Sequence, residues 1–275
     1  MSLSLQTNVT SLVAQQNLQT NTNALDNAVT QLTSGYRINQ SGDDAGGLAV
    51  ANGYRANIAE LQQGVSNAND GTAILQTIDG GLNNISNILN QLQSLATQSA
   101  TDTFSGSRTT LNNECQTLVG EINRQAANVG LASGGTYNAS LSVYIGGGNI
   151  QANSQVTINL SGSGNTVDAN GLGISSSAID STTNAKAAIT SITAAVSQLG
   201  LVQGVVGDGE NDLTYAVGLA NSQITNESAA ESNIRDANVA QEASALTQSQ
   251  VLQQSSVAAL AQANAEPQAL LKLLQ

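Results

Sequence analysis

The sequence predicts a mainly α-helical protein, with long coiled-coil helices at both ends, a helical bundle between them and a small β-hairpin region. Three observations carry that prediction. Glycine first occurs at Gly35 and last at Gly218, so both ends are free of the commonest helix breaker. Apolar residues recur at alternating spacings of three and four along the interior. Between residues 140 and 160 the period drops to two.

Residues 1–34 read as one helix. They carry a single charge, Asp26, and Leu18, Leu25 and Leu32 recur every seven residues with Val29 between them. Residues 235–275 read as a second such helix, in which Val239, Leu246 and Leu260 share one phase and Gln253 fills the gap. Both are thin coiled-coil seams. Either stripe alone buries too little to offset a chain entropy of roughly 1–2 kcal/mol per residue. The ends are therefore expected to be poorly ordered in a lone chain and to fold against partners.

The interior is richer. Leu75, Ile78, Leu82, Ile85, Leu89, Leu92 and Ala96 form a full heptad seam within residues 56–135. A second run uses Leu111, Cys115, Leu118, Ile122 and Val129, which makes the single cysteine a small core residue. A third, over residues 184–234, uses Ile189, Ile192, Val196, Leu199, Val206, Leu213, Val217, Ala220 and Ile224. Its phase holds across Gly204, Gly207 and Gly209, so one continuous, locally weakened helix is expected. Within residues 136–183, "SLSVYIG" and "SQVTINL" alternate polar and apolar residues around Gly146–Gly148 and Asn149 and predict a hairpin. Ser161–Ser177 reads as loop.

Composition narrows the function. The chain has no histidine, a net charge of −12 and only 9% charged residues. The usual neutral-pH general base and commonest metal ligand are missing, and phosphate-neutralising cations are scarce. No catalytic, cofactor-binding or metal site and no nucleic-acid partner is expected. No uninterrupted apolar run of membrane-spanning length is expected either, nor a cleaved secretion signal in "MSLSLQTNVTSL".

Two motifs look chemical. Gly42-Asp43-Asp44, in the connector at residues 35–55, could suggest a metal-binding turn, but the helical flanks are wrong for it. The reading adopted is a turn whose acids satisfy backbone groups, with Arg37 free to pair with either. "GDGENDL", Gly207–Leu213, spaces three acids like a calcium loop but lacks its turn glycine and bidentate glutamate. The pairs Gly162/Gly164 and Gly171/Gly173 lack the strand–helix flanks of a phosphate loop.

The stretch "LTSGYRINQSGDDAGGLAVANGYRANI" resembles the N-terminal signature of bacterial flagellin. "ESNIRDANVAQEASALTQSQVLQQSSVAALAQANAEPQALLKLL" resembles its C-terminal signature, and "DGTAILQTIDGGLNNISNILNQLQSLATQSA" and "GEINRQAANVG" resemble its inner helices. The likeness is weak only from Thr136 to Thr183. It implies a structural subunit of the extracellular flagellar filament, of minimal length, whose terminal helices pair as concentric coiled coils and polymerise. It also implies export through the flagellar channel and, as partners, neighbouring copies, a secretion chaperone, the filament cap and the hook–filament junction proteins. Arg37, Asp43 and Asp44 stand at matching connector positions.

The resemblance further implies a surface read by a Toll-like receptor, on which Leu95 and Glu114 fit the pattern. Gln91 stands where an arginine is typical and Ser94 where a glutamate is, so weakened detection is expected. Gln16 and Gln275 replace basic residues of the family pattern. A hook–filament junction protein is the alternative within the flagellum. A secreted enzyme or adhesin on a helical scaffold is the alternative outside it.

Overall fold

A computed structural model describes residues 7–147, 154–161 and 165–273, with side-chain surroundings through Glu266. Its elements run α1 (Val9–Ser34), α2 (Ala45–Ala100), α3 (Arg108–Asn128), β1 (Ser140–Tyr144), β2 (Gln155–Asn159), α4 (Thr182–Arg235) and α5 (Val239–Leu273). The hairpin tip at Gly148–Asn149, the Gly162/Gly164 pair and Gln275 lie outside the described residues.

Each helix starts where a short polar side chain accepts its orphan backbone N–H. Asn8 takes Ser11, Asp44 takes Gly47 at 2.8 Å and Ser107 takes Thr110. Ser181 takes Asn184, and Asn238 takes Ala240 and Gln241. Such caps are worth about 1 kcal/mol each. At its far end α1 closes on Gly35, whose φ of 75° is the left-handed conformation glycine adopts without strain. Because Asp44 caps α2, the connector expected over residues 35–55 is non-helical only through Asp44. Gly46 and Gly47 did not delay the helix.

The chain divides into two compact units, Met1–Ala56 with Asn226–Gln275, and Asn57–Thr225. The second contains the main core. Leu75, Ile78, Leu82, Ile85, Leu89, Leu92 and Ala96 of α2 are all buried there, as the heptad predicted. Cys115 and Ile122 of α3 join them, and burial raises the Cys115 thiol pKa above its ordinary value. α4 is one unbroken helix, as its phase predicted, but its buried stripe runs through Ala185, Ala188, Ile192, Ala195, Leu199, Val202, Val206, Gly209 and Leu213. Val196, expected in that seam, is 39% exposed. The small Ala195 next to it faces inward, and a reading weighted to large aliphatics chose the wrong neighbour. Val119 likewise is buried where Leu118 is only partly so.

β1 and β2 pair antiparallel, Ser140 opposite Asn159 and Tyr144 opposite Gln155. Val143 and Ile158 face the core, while Ser142 and Thr157 share a hydroxyl hydrogen bond on the open face. The hairpin can seat because glycines clear the helix surfaces beneath it. A Cβ at Gly64 would overlap the Ile145 carbonyl. One at Gly71 would come within 2.9 Å of Val143, and one at Gly209 within 2.9 Å of Ile158. Gly209 is thus a packing position, which the sequence suggested only as a weakness.

Ser161–Ser177 has no helix or strand among its described residues, yet the chain from Val167 to Ile179 is packed rather than loose. Val167, Leu172, Ile174 and Ile179 are buried. Polar side chains of α3 hold its backbone. Asn123 accepts from Ala169 N at 2.8 Å, Gln116 donates to Ser177 O at 2.8 Å and Asn112 accepts from Ile179 N at 2.9 Å. Buried Asp168 accepts from Ser133 N and Gly171 N, joining two turns.

One sequence expectation needs correcting. α4 contains an 18-residue window of mean hydropathy 1.5, long and apolar enough by composition to cross a membrane. Its glycines, serines and threonines hid that from a search for uninterrupted aliphatic runs. Of that window 28% is buried.

Two glycine substitutions should act in opposite directions on thermal unfolding. Gly64→Val should destabilise by about 2 kcal/mol or more, because the hairpin has to move. Gly204→Ala, on an exposed helix position with nothing within 4 Å, should stabilise by about 0.5–1 kcal/mol.

Candidate functional site

The terminal unit is built on α1 and α5, which pack along each other. Their bonds fix an antiparallel register. Asn8 Nδ2 donates to Ala263 O at 2.8 Å, Asn21 Nδ2 to Ser256 Oγ at 2.7 Å, and Ala237 N to Gly35 O at 2.9 Å. The seam is thin and partly polar. Leu18, Leu25, Leu32, Leu246 and Leu260 are half-buried, and among the described residues of the pair only Ala28, Ser249 and Ala263 are buried.

Two of the predicted seam residues lie outside it. Val29 is 42% exposed and Val239 60% exposed. Val29 is one residue past Ala28, a turn of about 100° on a helix, and a single partner covers only one stripe. Alanine and serine fill the buried positions, and a search for heptad leucines cannot register them. Beyond the seam Val9, Leu12, Val13, Val251, Leu252 and Val257 are also exposed. A groove between the helices, lined by Thr10, Val13, Ala14, Ser256 and Ala259, opens on the same pair.

The connector is held by hydrogen bonds. Asp43 Oδ2 accepts from Asn39 N and Gln40 N, both at 3.0 Å, and these bonds lower its carboxyl pKa below the ordinary 3.8. Asp44 is spent on the α2 cap. Arg37 pairs with neither acid among the described residues. Its guanidinium donates to Ile234 O at 2.6 Å and its N–H to Arg235 O at 2.7 Å, so it ties the connector to the end of α4. Gln31 Nε2 donates to the Arg37 carbonyl at 2.9 Å. Both acids of the triplet thus serve backbone groups, as the turn reading expected. Sequence reasoning missed Tyr36, Glu231 and Arg235, whose roles depend on a chain separation of about two hundred residues.

Of the expected immune-receptor surface, Gln91 and Glu114 are exposed. Leu95 is not. It is 9% exposed and belongs to the core cluster, because it follows Leu92 by three residues on the inward face of α2. In Gly207–Leu213 the chain is helical, which turns Asp208 and Glu210 about 200° apart and prevents them converging on one ion. No group of three or more metal-ligating side chains occurs among the described residues.

Fold and exposed faces together define a mainly α-helical protein whose end helices pair and keep apolar residues exposed. Comparison with known proteins gives the family. "Bacterial flagellin N-terminal helical region" matches residues 5–130 and "Bacterial flagellin C-terminal helical region" matches residues 182–274. A flagellin of Halalkalibacterium halodurans is 34% identical over 98% of both chains. Flagellin FlaB1 of Treponema pallidum is 32% identical over 98% of both. A crystal structure of Bacillus cereus flagellin aligns with 60% of this chain and 94% of its own, at 23% identity and a TM-score of 0.47. The chain belongs to the bacterial flagellin family and is a structural subunit of the flagellar filament.

A carboxylate whose pKa is lowered in the folded state stabilises that state above its unfolded pKa and loses the contribution as pH falls through the folded value. A carbon-detected titration of Asp43 should therefore give a midpoint below 3.8, and Asn39 and Gln40 amides should gain exchange rate as it protonates. In Asp43→Asn that acid-dependent step should be absent.

Proposed function

We propose that this subunit polymerises through the bare faces of the α1/α5 pair, with the terminal helices reaching full order only against neighbouring copies. One observation carries the reading: the pair shares a seam rich in alanine and serine and leaves Val9, Val13, Val29, Val239, Val251 and Val257 uncovered. Six exposed valines on two helices, facing more than one way, are apolar surface that water disfavours and neighbouring copies can cover. A copy of the same chain is the occupant because filament subunits of this family associate with themselves, and because α1 is nearly uncharged. Few ions need desolvation, and assembly should depend only mildly on salt.

Assembly places the subunit in the extracellular flagellum. The finer partners follow the family: unfolded export through the flagellar channel without a cleaved signal, escort by a secretion chaperone, and addition beneath the cap onto junction proteins. A catalytic role has no support in the family. Likeness to flagellins along nearly the full chain favours the filament subunit over a junction protein or adhesin. Within the connector, Arg37, Asp43 and Asp44 set the bend between helices or make a contact between subunits. Toll-like receptor detection would be weak, since Gln91 offers no guanidinium and Leu95 is buried.

Two substitutions test the bare faces. Val13→Ser with Val251→Ser should raise the critical concentration for filament growth about tenfold or more, read by sedimentation, because each valine forfeits part of about 1.5 kcal/mol of burial. Thermal unfolding of the lone subunit should not change. Unaltered assembly would contradict the proposal. In the connector, Arg37→Ala should change filament yield or shape under negative-stain microscopy, and filaments identical to the parent would remove the bend-setting role.

A further inference from the structure

The two helix breaks of the terminal unit meet. α1 ends at Ser34 and α4 at Arg235, and between those points the chain forms a short antiparallel bridge, Tyr36 opposite Asp236. Arg37 N donates to Arg235 O, and Ala237 N donates to Gly35 O. The Arg235 guanidinium lies over the Tyr36 ring, 4.1 Å from its centroid. Glu231 stands 3.7 Å from Arg235 and 3.7 Å from Arg55. Ser232 Oγ donates to Asp236 at 2.6 Å, and Ile38 beside the bridge is fully buried. Nowhere else along α1 and α5 do backbone bonds, a stacked cation and a buried aliphatic coincide among the described residues.

We infer that this clasp nucleates the terminal pair: it is the closed end from which α1 and α5 zip toward the chain termini. A helix pair with a thin seam forms only if its two chains are already adjacent and in register, since nucleation and loop closure are costly. The clasp supplies both. It fixes Gly35 against Ala237, and each further turn outward, Ala28 and then Leu25 facing the first half of α5, adds a small gain. Order should therefore be graded, highest beside the clasp and lowest near Thr10 and Ala263. The inference deepens the assembly reading by naming where the ordering of the ends begins.

Hydrogen exchange on the full-length subunit, at a concentration below assembly, tests it. In the parent chain, protection should decline from Leu32 to Thr10 along α1 and from Leu246 to Ala263 along α5. Tyr36→Ser and Arg235→Gln should each speed exchange about tenfold in Leu25–Ser34 and Val239–Leu246, while Leu75–Leu92 stays as in the parent. Tyr36→Phe keeps the ring and should match the parent. Protection that is flat or rises toward the tips would overturn the inference, as would clasp variants that exchange like the parent. Filament growth is read separately on the same samples. A parent that never polymerises refutes the assembly reading without touching the clasp, and clasp variants with lost protection support the clasp even if their filaments still grow.

Discussion

The molecule depends on how little α1 and α5 can bury in each other. Two antiparallel helices share one stripe, and here that stripe offers half-buried leucines separated by Ala28, Asn21, Ser249 and Ser256. Side chains that small gain little dispersion and remove little apolar area from water. The pair is therefore marginal by itself, and its valines remain exposed. Under the assembly proposed here, a subunit that joins a polymer is served by this balance. A stronger seam would settle before assembly, and a weaker one would not settle within it.

The unit formed by Asn57–Thr225 has the opposite character. Its heptads are filled with leucine and isoleucine, and the hairpin lies over glycine positions of α2 and α4. The chain from Val167 to Ile179 is fastened to α3 by asparagine and glutamine side chains. This unit holds the main core. The two units thus differ in how far their apolar residues are buried within the chain itself.

Much of this was legible in the sequence, for reasons that can be named. The α2 seam and the hairpin were readable because large aliphatics at fixed spacing dominate burial, and the α4 phase survives its glycines because those glycines sit inside one helix. Legibility failed at several positions where a small residue did the packing, although Ala96, Cys115 and Ala220 were read correctly. Ala195 displaced Val196, Ala28 displaced Val29, and Gly209 proved to be a seat for Ile158. It failed again for the clasp, since nothing local to Tyr36 signals a partner at Arg235. Leu95 was misplaced because a motif position says nothing about which way a helix face turns. Asp43 and Asp44 came out correctly in kind, since short acids between helices generally serve the backbone.

Far-ultraviolet circular dichroism across polymerisation tests the central claim most directly. If the ends are underfilled until neighbours cover them, helical signal should rise on filament growth by an amount matching the outer parts of α1 and α5, with no change from the Asn57–Thr225 unit. A subunit already fully helical before growth, with no gain on assembly, would contradict the account.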